Sequence, residues 1–162
     1  YEARGFDLEK IARDYVDVLN RVIEWKPEDL VVNMHICRGN FRSTWFSSGG
    51  YEPVAKTLFG HCRVDGFFLE YDSDRAGDFT PLRFIKNQKV VLGLITSKSG
   101  DLEDKGEVIS RIKEASQYVP LEQLCLSPQC GFSSTEEGNI LTIEAQWDKL
   151  KLIDEIVHEV WG

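Results

Sequence analysis

Four short runs rich in β-branched and aromatic residues punctuate the chain: Leu30 to His35, Gly66 to Tyr71, Lys89 to Ile95 and Leu124 to Leu126. Each is nearly continuously apolar rather than alternating, as expected of strands covered on both faces. The stretches between them carry apolar residues at helical spacing. Phe6, Leu8, Ile11, Tyr15, Val18, Leu19 and Val22 predict a first helix that ends near Trp25-Lys26-Pro27, because proline cannot continue it. A shorter helix is predicted from Pro53 to Phe59. Val108, Ile109, Ile112 and Ala115 predict another, entered through Asp101-Leu102-Glu103-Asp104 and closed by Tyr118-Val119-Pro120. The last is predicted from Ile143 to Val160, with Leu150, Ile153, Ile156, Val157 and Val160 on one side.

Strand and helix therefore alternate, which predicts parallel β/α units. No linker, low-complexity tract or internal repeat interrupts them, so residues 1–162 read as one domain. Four such units make either a small open α/β sheet or half of an eight-stranded (β/α) barrel, whose whole length is about 250 residues. The pattern alone leans towards the open sheet.

Composition narrows the function classes. The chain has 162 residues, 42% of them hydrophobic, enough for one buried core. With 27 acidic against 19 basic residues its net charge is −8, a surface that repels a phosphate backbone and argues against nucleic acid as a partner. No apolar run approaches the roughly 20 residues that span a bilayer, so no membrane partner is expected. The polar start, Tyr1 to Asp7, lacks the apolar stretch of a secretory signal, and the expected location is cytoplasmic. In a reducing compartment, cysteines at 37, 62, 125 and 130 bind metal or pack, rather than forming disulfides.

Functional groups of parallel β/α folds gather at the C-terminal ends of the strands. Three strand ends here carry reactive types: His35-Ile36-Cys37, Glu70 in Leu69-Glu70-Tyr71, and Cys130 in Pro128-Gln129-Cys130-Gly131. Residues i and i+2 of a strand point the same way, so His35 and Cys37 can reach one point together, with Glu70 and Cys130 arriving from other strands. Two thiolates, an imidazole and a carboxylate form a plausible tetrahedral zinc set, in which the carboxylate is the ligand an incoming thiol displaces. The competing account is bland: H-x-C arises by chance, and a strand-end cysteine is commonly a small core hydrophobe. Spacing alone leaves both open.

The order H-x-C in Val31-Val32-Asn33-Met34-His35-Ile36-Cys37, then Leu69-Glu70, then Leu126-Ser127-Pro128-Gln129-Cys130-Gly131-Phe132 resembles the C-terminal catalytic domain of cobalamin-independent methionine synthases. It looks most like the shorter bacterial paralogues of that family, and the resemblance covers about Leu30 to Glu137. It implies the C-terminal half of a (β/α)8 TIM barrel, with zinc as cofactor on His35, Cys37, Glu70 and Cys130. It also implies a 5-methyltetrahydropteroyltriglutamate–homocysteine S-methyltransferase type of activity in methionine biosynthesis. There a homocysteine-like thiol is activated as a zinc thiolate and receives a methyl group from methyltetrahydrofolate. Two departures stand out. An insertion lies around Ser43 to Tyr51. Where typical members carry a proton-donating histidine after the third strand, this chain reads Thr96-Ser97-Lys98-Ser99-Gly100. The alternatives are a related thiol alkyltransferase with another donor or acceptor, or a non-catalytic zinc-binding fragment.

Arg38, Asn40 and Ser97 are candidate substrate contacts, and Asp72 is a candidate to hydrogen-bond a metal ligand. Gly49-Gly50-Tyr51 suggests a mobile flap. Lys98, Asp101, Glu103 and Asp104 read as a solvated loop, Cys62 and Cys125 as packed thiols, and His158 as a surface side chain. Half a barrel leaves sheet edges unpaired, so self-association and an inactive isolated chain are expected.

Overall fold

Asp7 accepts a hydrogen bond from the Lys10 amide at 3.0 Å and so caps the first helix, α1 (Leu8–Ile23). The structure, a computed structural model, describes residues 5–162; Tyr1 to Arg4, part of the polar start, lie outside them. The chain then runs through β1 (Asn33–Ile36), α2 (Glu52–His61), β2 (Gly66–Glu70), β3 (Lys89–Ile95), α3 (Lys105–Ala115), β4 (Leu124–Pro128) and α4 (Ile143–Trp161). Asp104 and Thr142 cap α3 and α4 by accepting from the Glu107 and Ala145 amides.

The four strands are parallel and form one sheet in the order β1-β2-β3-β4. Each follows its predecessor by one place, as successive right-handed β/α units of a barrel wall do. The expected α/β fold class is what forms. Two expectations fail. The first concerns coverage. Phe67, Leu69, Val90 and Leu92 are 0–1% exposed and share a core cluster with Phe59 of α2, Ile112 of α3 and Ile156 of α4. The register aligns His35, Phe68, Val91 and Cys125 across the opposite face, where Phe68 is 36% exposed. The sheet is thus covered on one face and open on the other among the described residues. Continuous apolar runs do not distinguish that case from two covered faces.

The second concerns alternation. No α-helix joins β2 to β3; the connection is two 3-10 turns, Asp74–Ala76 and Thr80–Phe84. Gly77, at φ 71°, and Pro81 interrupt it, and both residue types break helices. The first strand also begins later than its apolar run, because Leu30 and Val31 lie exposed before the ladder starts.

Lys149 of α4 has a side chain with no exposed surface, and its ammonium lies 3.0 Å from both carboxylate oxygens of Glu103. Glu103 Oε1 in turn accepts the Thr96 amide at 2.8 Å. The segment read as a solvated loop is therefore fastened at Glu103 to α4 by an ion pair whose lysine is fully buried. No helix among the described residues is long and apolar enough to cross a membrane.

Candidate metal centre

His35 projects from β1 on the open face, and Cys37 follows immediately after the strand. The chain must then turn sharply. Gly39 adopts φ 98°, and a Cβ there would sit 2.8 Å from the Phe46 nitrogen, so only glycine fits. This turn aims two amides at the centre: Gly39 N–H donates to Cys37 Sγ at 3.1 Å, and Arg38 N–H to Glu70 Oε2 at 3.0 Å. Backbone donors of this kind stabilise anionic ligands without adding a counter-charge.

Glu70 ends β2 and is 1% exposed. The Tyr51 hydroxyl pins its backbone, accepting the Glu70 amide at 2.8 Å and donating to the Glu70 carbonyl at 3.3 Å. Cys130 arrives just past β4. Its approach depends on Gly93 of β3, where a Cβ would lie 2.8 Å from Gln129 Cα and 2.9 Å from the Leu69 carbonyl oxygen. The β3–β4 register shifts at this point, and Gln129 N–H donates to the Ile95 carbonyl at 2.7 Å. The side chain of Gln129, 2% exposed, donates to Cys130 Sγ at 3.0 Å and accepts from Lys98 Nζ at 3.1 Å.

The fold brings all four expected ligands together: one donor atom from each of His35, Cys37, Glu70 and Cys130 lies within 4.8 Å of the others. The two sulfurs are 3.6 Å apart, Cys130 Sγ is 3.7 Å from His35 Nε2, and His35 Nε2 is 3.6 Å from Glu70 Oε1. A tetrahedron with metal–sulfur bonds of about 2.3 Å and metal–nitrogen bonds of about 2.0 Å puts sulfur from sulfur at about 3.8 Å and from nitrogen at about 3.6 Å. The donor set and its spacing fit zinc. Cys130 Sγ lies closer than these separations to Glu70 Oε1, at 3.0 Å, where the thiol donates to the carboxylate.

That contact explains the electrostatics. Burial pushes the Glu70 carboxyl up, but hydrogen bonds from His35, Cys130, Cys37 and Gln129 together outweigh it and hold the pKa at about 2. Burial, then the hydrogen bond and charge of Glu70, push the Cys130 thiol well above its usual range. A cation at the centre reverses this, since a coordinating thiol is deprotonated outright. A cavity of about 520 Å³ opens beside the cluster, with His35, Cys37, Phe68, Pro128, Cys130 and Phe132 in its wall.

The remaining candidates are distributed unevenly. Arg38 is 8% exposed and donates to the Gly49 carbonyl, the Tyr51 hydroxyl and the Glu70 carbonyl. The segment Gly49 to Tyr51, expected as a flap, is thereby pinned; Gly49 N–H also donates to the Arg75 carbonyl, and Tyr51 is buried. Asn40 and Ser97 lie together next to the cysteine loop, Asn40 Nδ2 donating to the Gly131 carbonyl at 3.1 Å and facing Ser97 Oγ at 3.5 Å. Asn40 Oδ1 is buried without a protein partner. Asp72 accepts from Thr96 Oγ1 at 2.9 Å and pairs with Arg75 at 3.3 Å, and no hydrogen bond joins it to the four ligands. Cys62 is buried, Cys125 half-buried, and His158 exposed.

The supporting roles of Gln129 and Gly93 escaped the sequence reading, which places Tyr51 in a flap rather than as the fixed support of Glu70 and Arg38 that its hydroxyl makes it. For Gly93 there was a signal: a glycine inside an apolar strand marks a close backbone approach.

No protein-family model matches the sequence. The chain is 54% identical over 161 residues to the uncharacterized protein YxjH of Bacillus subtilis, covering 98% of this chain and 43% of that one. A solved structure described as a putative vitamin-B12-independent methionine synthase from Listeria monocytogenes superposes on it with a TM-score of 0.76, at 46% identity over 98% of this chain. The chain is a relative of the vitamin-B12-independent methionine synthases. Methionine synthase from Pyrococcus horikoshii is more distant, 24% identical over 116 residues. The four parallel strands and their helices in this methionine synthase relative correspond to half of a (β/α)8 barrel, and the chain spans 43% of the Listeria and YxjH chains.

Proposed function

We propose that this chain carries the metal half of a zinc-dependent S-methyltransferase that transfers a methyl group from a methyltetrahydrofolate to a homocysteine-like thiol. His35, Cys37 and Cys130 are the lasting ligands and Glu70 the exchangeable one. The observation that carries the proposal is the convergence of these four donors, from three strand ends, within 4.8 Å. Kinship with methionine synthases supports it.

Zinc, when bound, supplies the Lewis acidity that holds an incoming thiol as a nucleophilic thiolate near neutral pH. The chain's own residues do the rest. The amides of Arg38 and Gly39 and the Gln129 carboxamide donate to the anionic ligands and fix their direction. The aromatic and proline walls of the cavity, Phe68, Pro128 and Phe132, keep water from the reacting sulfur. Asn40 and Ser97 are the proposed substrate contacts, because an unpartnered buried amide oxygen favours a donor from outside the protein. Asp72 acts through Thr96 and Arg75 to shape the loop after β3, and Arg38 acts on Glu70 rather than on substrate.

In the transfer the bond from the folate nitrogen to its methyl carbon breaks, a sulfur–carbon bond forms, and the folate nitrogen takes up a proton. The absence of a histidine from Thr96 to Gly100 favours one second reading, a related thiol alkyltransferase with another donor or acceptor. The protein at its natural length, assayed with methyltetrahydrofolate and homocysteine, separates the two. Metal content tests the site itself. About one zinc per chain, lost in Cys130→Ser, is expected; unchanged zinc in that variant would sink the ligand assignment.

A further inference from the structure

The Glu70 carboxylate is held asymmetrically. Oε1 faces the donor cluster, 3.0 Å from Cys130 Sγ and 3.6 Å from His35 Nε2. Oε2 is turned away, accepting the Arg38 amide at 3.0 Å, with the guanidinium nitrogen Nη1 of Arg38 at 3.8 Å. Every hydrogen bond from that guanidinium goes to a neutral acceptor: the Gly49 carbonyl, the Tyr51 hydroxyl and the Glu70 carbonyl. Glu70 is the carboxylate within ion-pair reach of Arg38 among the described residues. A guanidinium 8% exposed, stacked 4.4 Å over the Tyr51 ring, is an expensive way to hold a loop unless its charge is used.

The use follows from the exchange of Glu70. While Oε1 is a metal ligand, the cation shares its charge. Once a thiol takes that position, a carboxylate 1% exposed would recover its full charge in a place where an unpaired ion is strongly disfavoured. A cation already beside Oε2 removes that cost at the moment it arises. Resting on the zinc reading above, we infer that Arg38 is a positioning residue for ligand exchange, retaining the Glu70 carboxylate after an incoming thiol displaces it. With a metal held by the four residues, the exchange would break the bond to Oε1 and form one to the thiol sulfur. The thiol's proton passes to solvent, and one anion replaces another with no change of charge at the centre. Tyr51 fixes the geometry, since its hydroxyl touches both the Arg38 guanidinium and the Glu70 backbone.

The test is a homocysteine titration of the cobalt-loaded protein at its natural length, followed by the sulfur-to-cobalt charge-transfer band. Cobalt content is measured first. A wild-type protein that takes up no stoichiometric metal overturns the zinc reading, whereas metal uptake without an Arg38 effect overturns this inference alone. Arg38→Met is expected to keep its cobalt but to need about tenfold more homocysteine, the worth of one hydrogen-bonded charge. Arg38→Lys, which keeps the charge, is expected to recover most of that loss. In a Glu70→Ala background no carboxylate remains to be received, so Arg38→Met should change nothing there. An unchanged titration in Arg38→Met, or an equal loss in the Glu70→Ala background, overturns the inference. Should Arg38→Met fail to fold, a crystal of the wild-type protein with zinc and homocysteine decides. A Glu70 oxygen within about 3.2 Å of Arg38 Nη1 supports it, and a carboxylate turned elsewhere refutes it.

Discussion

Gly93 occupies the middle of a buried strand, where a glycine costs backbone entropy and contributes no side chain. The cost is accepted because the backbone of Gln129 crosses directly over it, 2.8 Å from where a Cβ would stand. Gly93→Ala should therefore push the Gln129–Cys130 segment outward, destabilising the protein by about 1–3 kcal/mol. Metal affinity should fall as well, by about tenfold or more, because a metal ligand misplaced by a fraction of an ångström is a poor one. Competition against a coloured chelator reads the affinity and urea unfolding the stability; a stability loss with unchanged affinity would show that the crossing does not set the position of Cys130. Cys62 provides the contrast. It is buried and its thiol is pushed up by burial, and it belongs to the core cluster rather than to the centre. Cys62→Ala is expected to lower the unfolding midpoint and leave metal content at wild-type level. At this scale the four candidate ligands were legible, because strand-end position, the two-residue spacing of His35 and Cys37, and a family-like order all bear on the same residues. Their supports were not. Tyr51 and Gln129 reach the site through contacts 19 and one residue distant in sequence, and nothing in their neighbours announces those contacts.

Among the elements, period and capping residues located all four helices closely, α4 almost to its ends. The β2–β3 connection departs from the strand–helix alternation: no helical spacing marks residues 72–88, and two 3-10 turns fill the place a helix would take. The loop after β3 differs from its solvated expectation for another reason. Its charges look like solvated ones, and the partner that buries Glu103 lies on α4, 46 residues on. Removing Lys149 strands a Glu103 carboxylate that keeps 19% of its side chain exposed, so Lys149→Ala should cost less in chemical denaturation than the about 3–5 kcal/mol of a pair buried on both sides. Replacing both, Lys149→Met with Glu103→Gln, should cost less than the single change; equal losses would mean that packing, not charge, holds α4 there. At the other end of the sheet Asp65 clasps the entry to β1. Its Oδ2 accepts the Val32 amide at 2.7 Å and lies 3.4 Å from Lys26 Nζ, and the amide hydrogen bond holds its pKa below the usual carboxylate range. A carboxyl whose folded pKa is depressed contributes stability above its unfolded value and loses it as pH falls through the folded one. Wild type should thus outlast Asp65→Asn in urea at neutral pH, and the advantage should shrink on acidification below the ordinary aspartate range. A difference independent of pH would remove the charge from the explanation.

For the molecule as a whole, the fold class was legible from alternation, but the choice between an open sheet and part of a barrel was not, since both give the same period. Kinship settles it, and the geometry shows what the barrel segment lacks by itself. β1 and β4 each keep one unpaired edge in the order β1-β2-β3-β4. The face bearing His35, Phe68, Val91 and Cys125 has no covering layer among the described residues, and on α1 Tyr15, Val18 and Val22 are 58–71% exposed. Ladder groups left open on two edges, an uncovered sheet face and an apolar helix stripe are the features that drive association. The 162-residue chain alone is therefore expected to sediment above its monomer mass of 18.5 kDa at micromolar concentration. It should lack methyl transfer even when loaded with metal, because the relatives it matches are more than twice its length. Supplying the remaining length in one polypeptide should restore a defined mass and, with it, turnover. The two outcomes are separable: a compact monomer by sedimentation refutes the edge argument whatever the activity, while turnover by the short chain shows that the three strand ends and their supporting residues suffice for the chemistry.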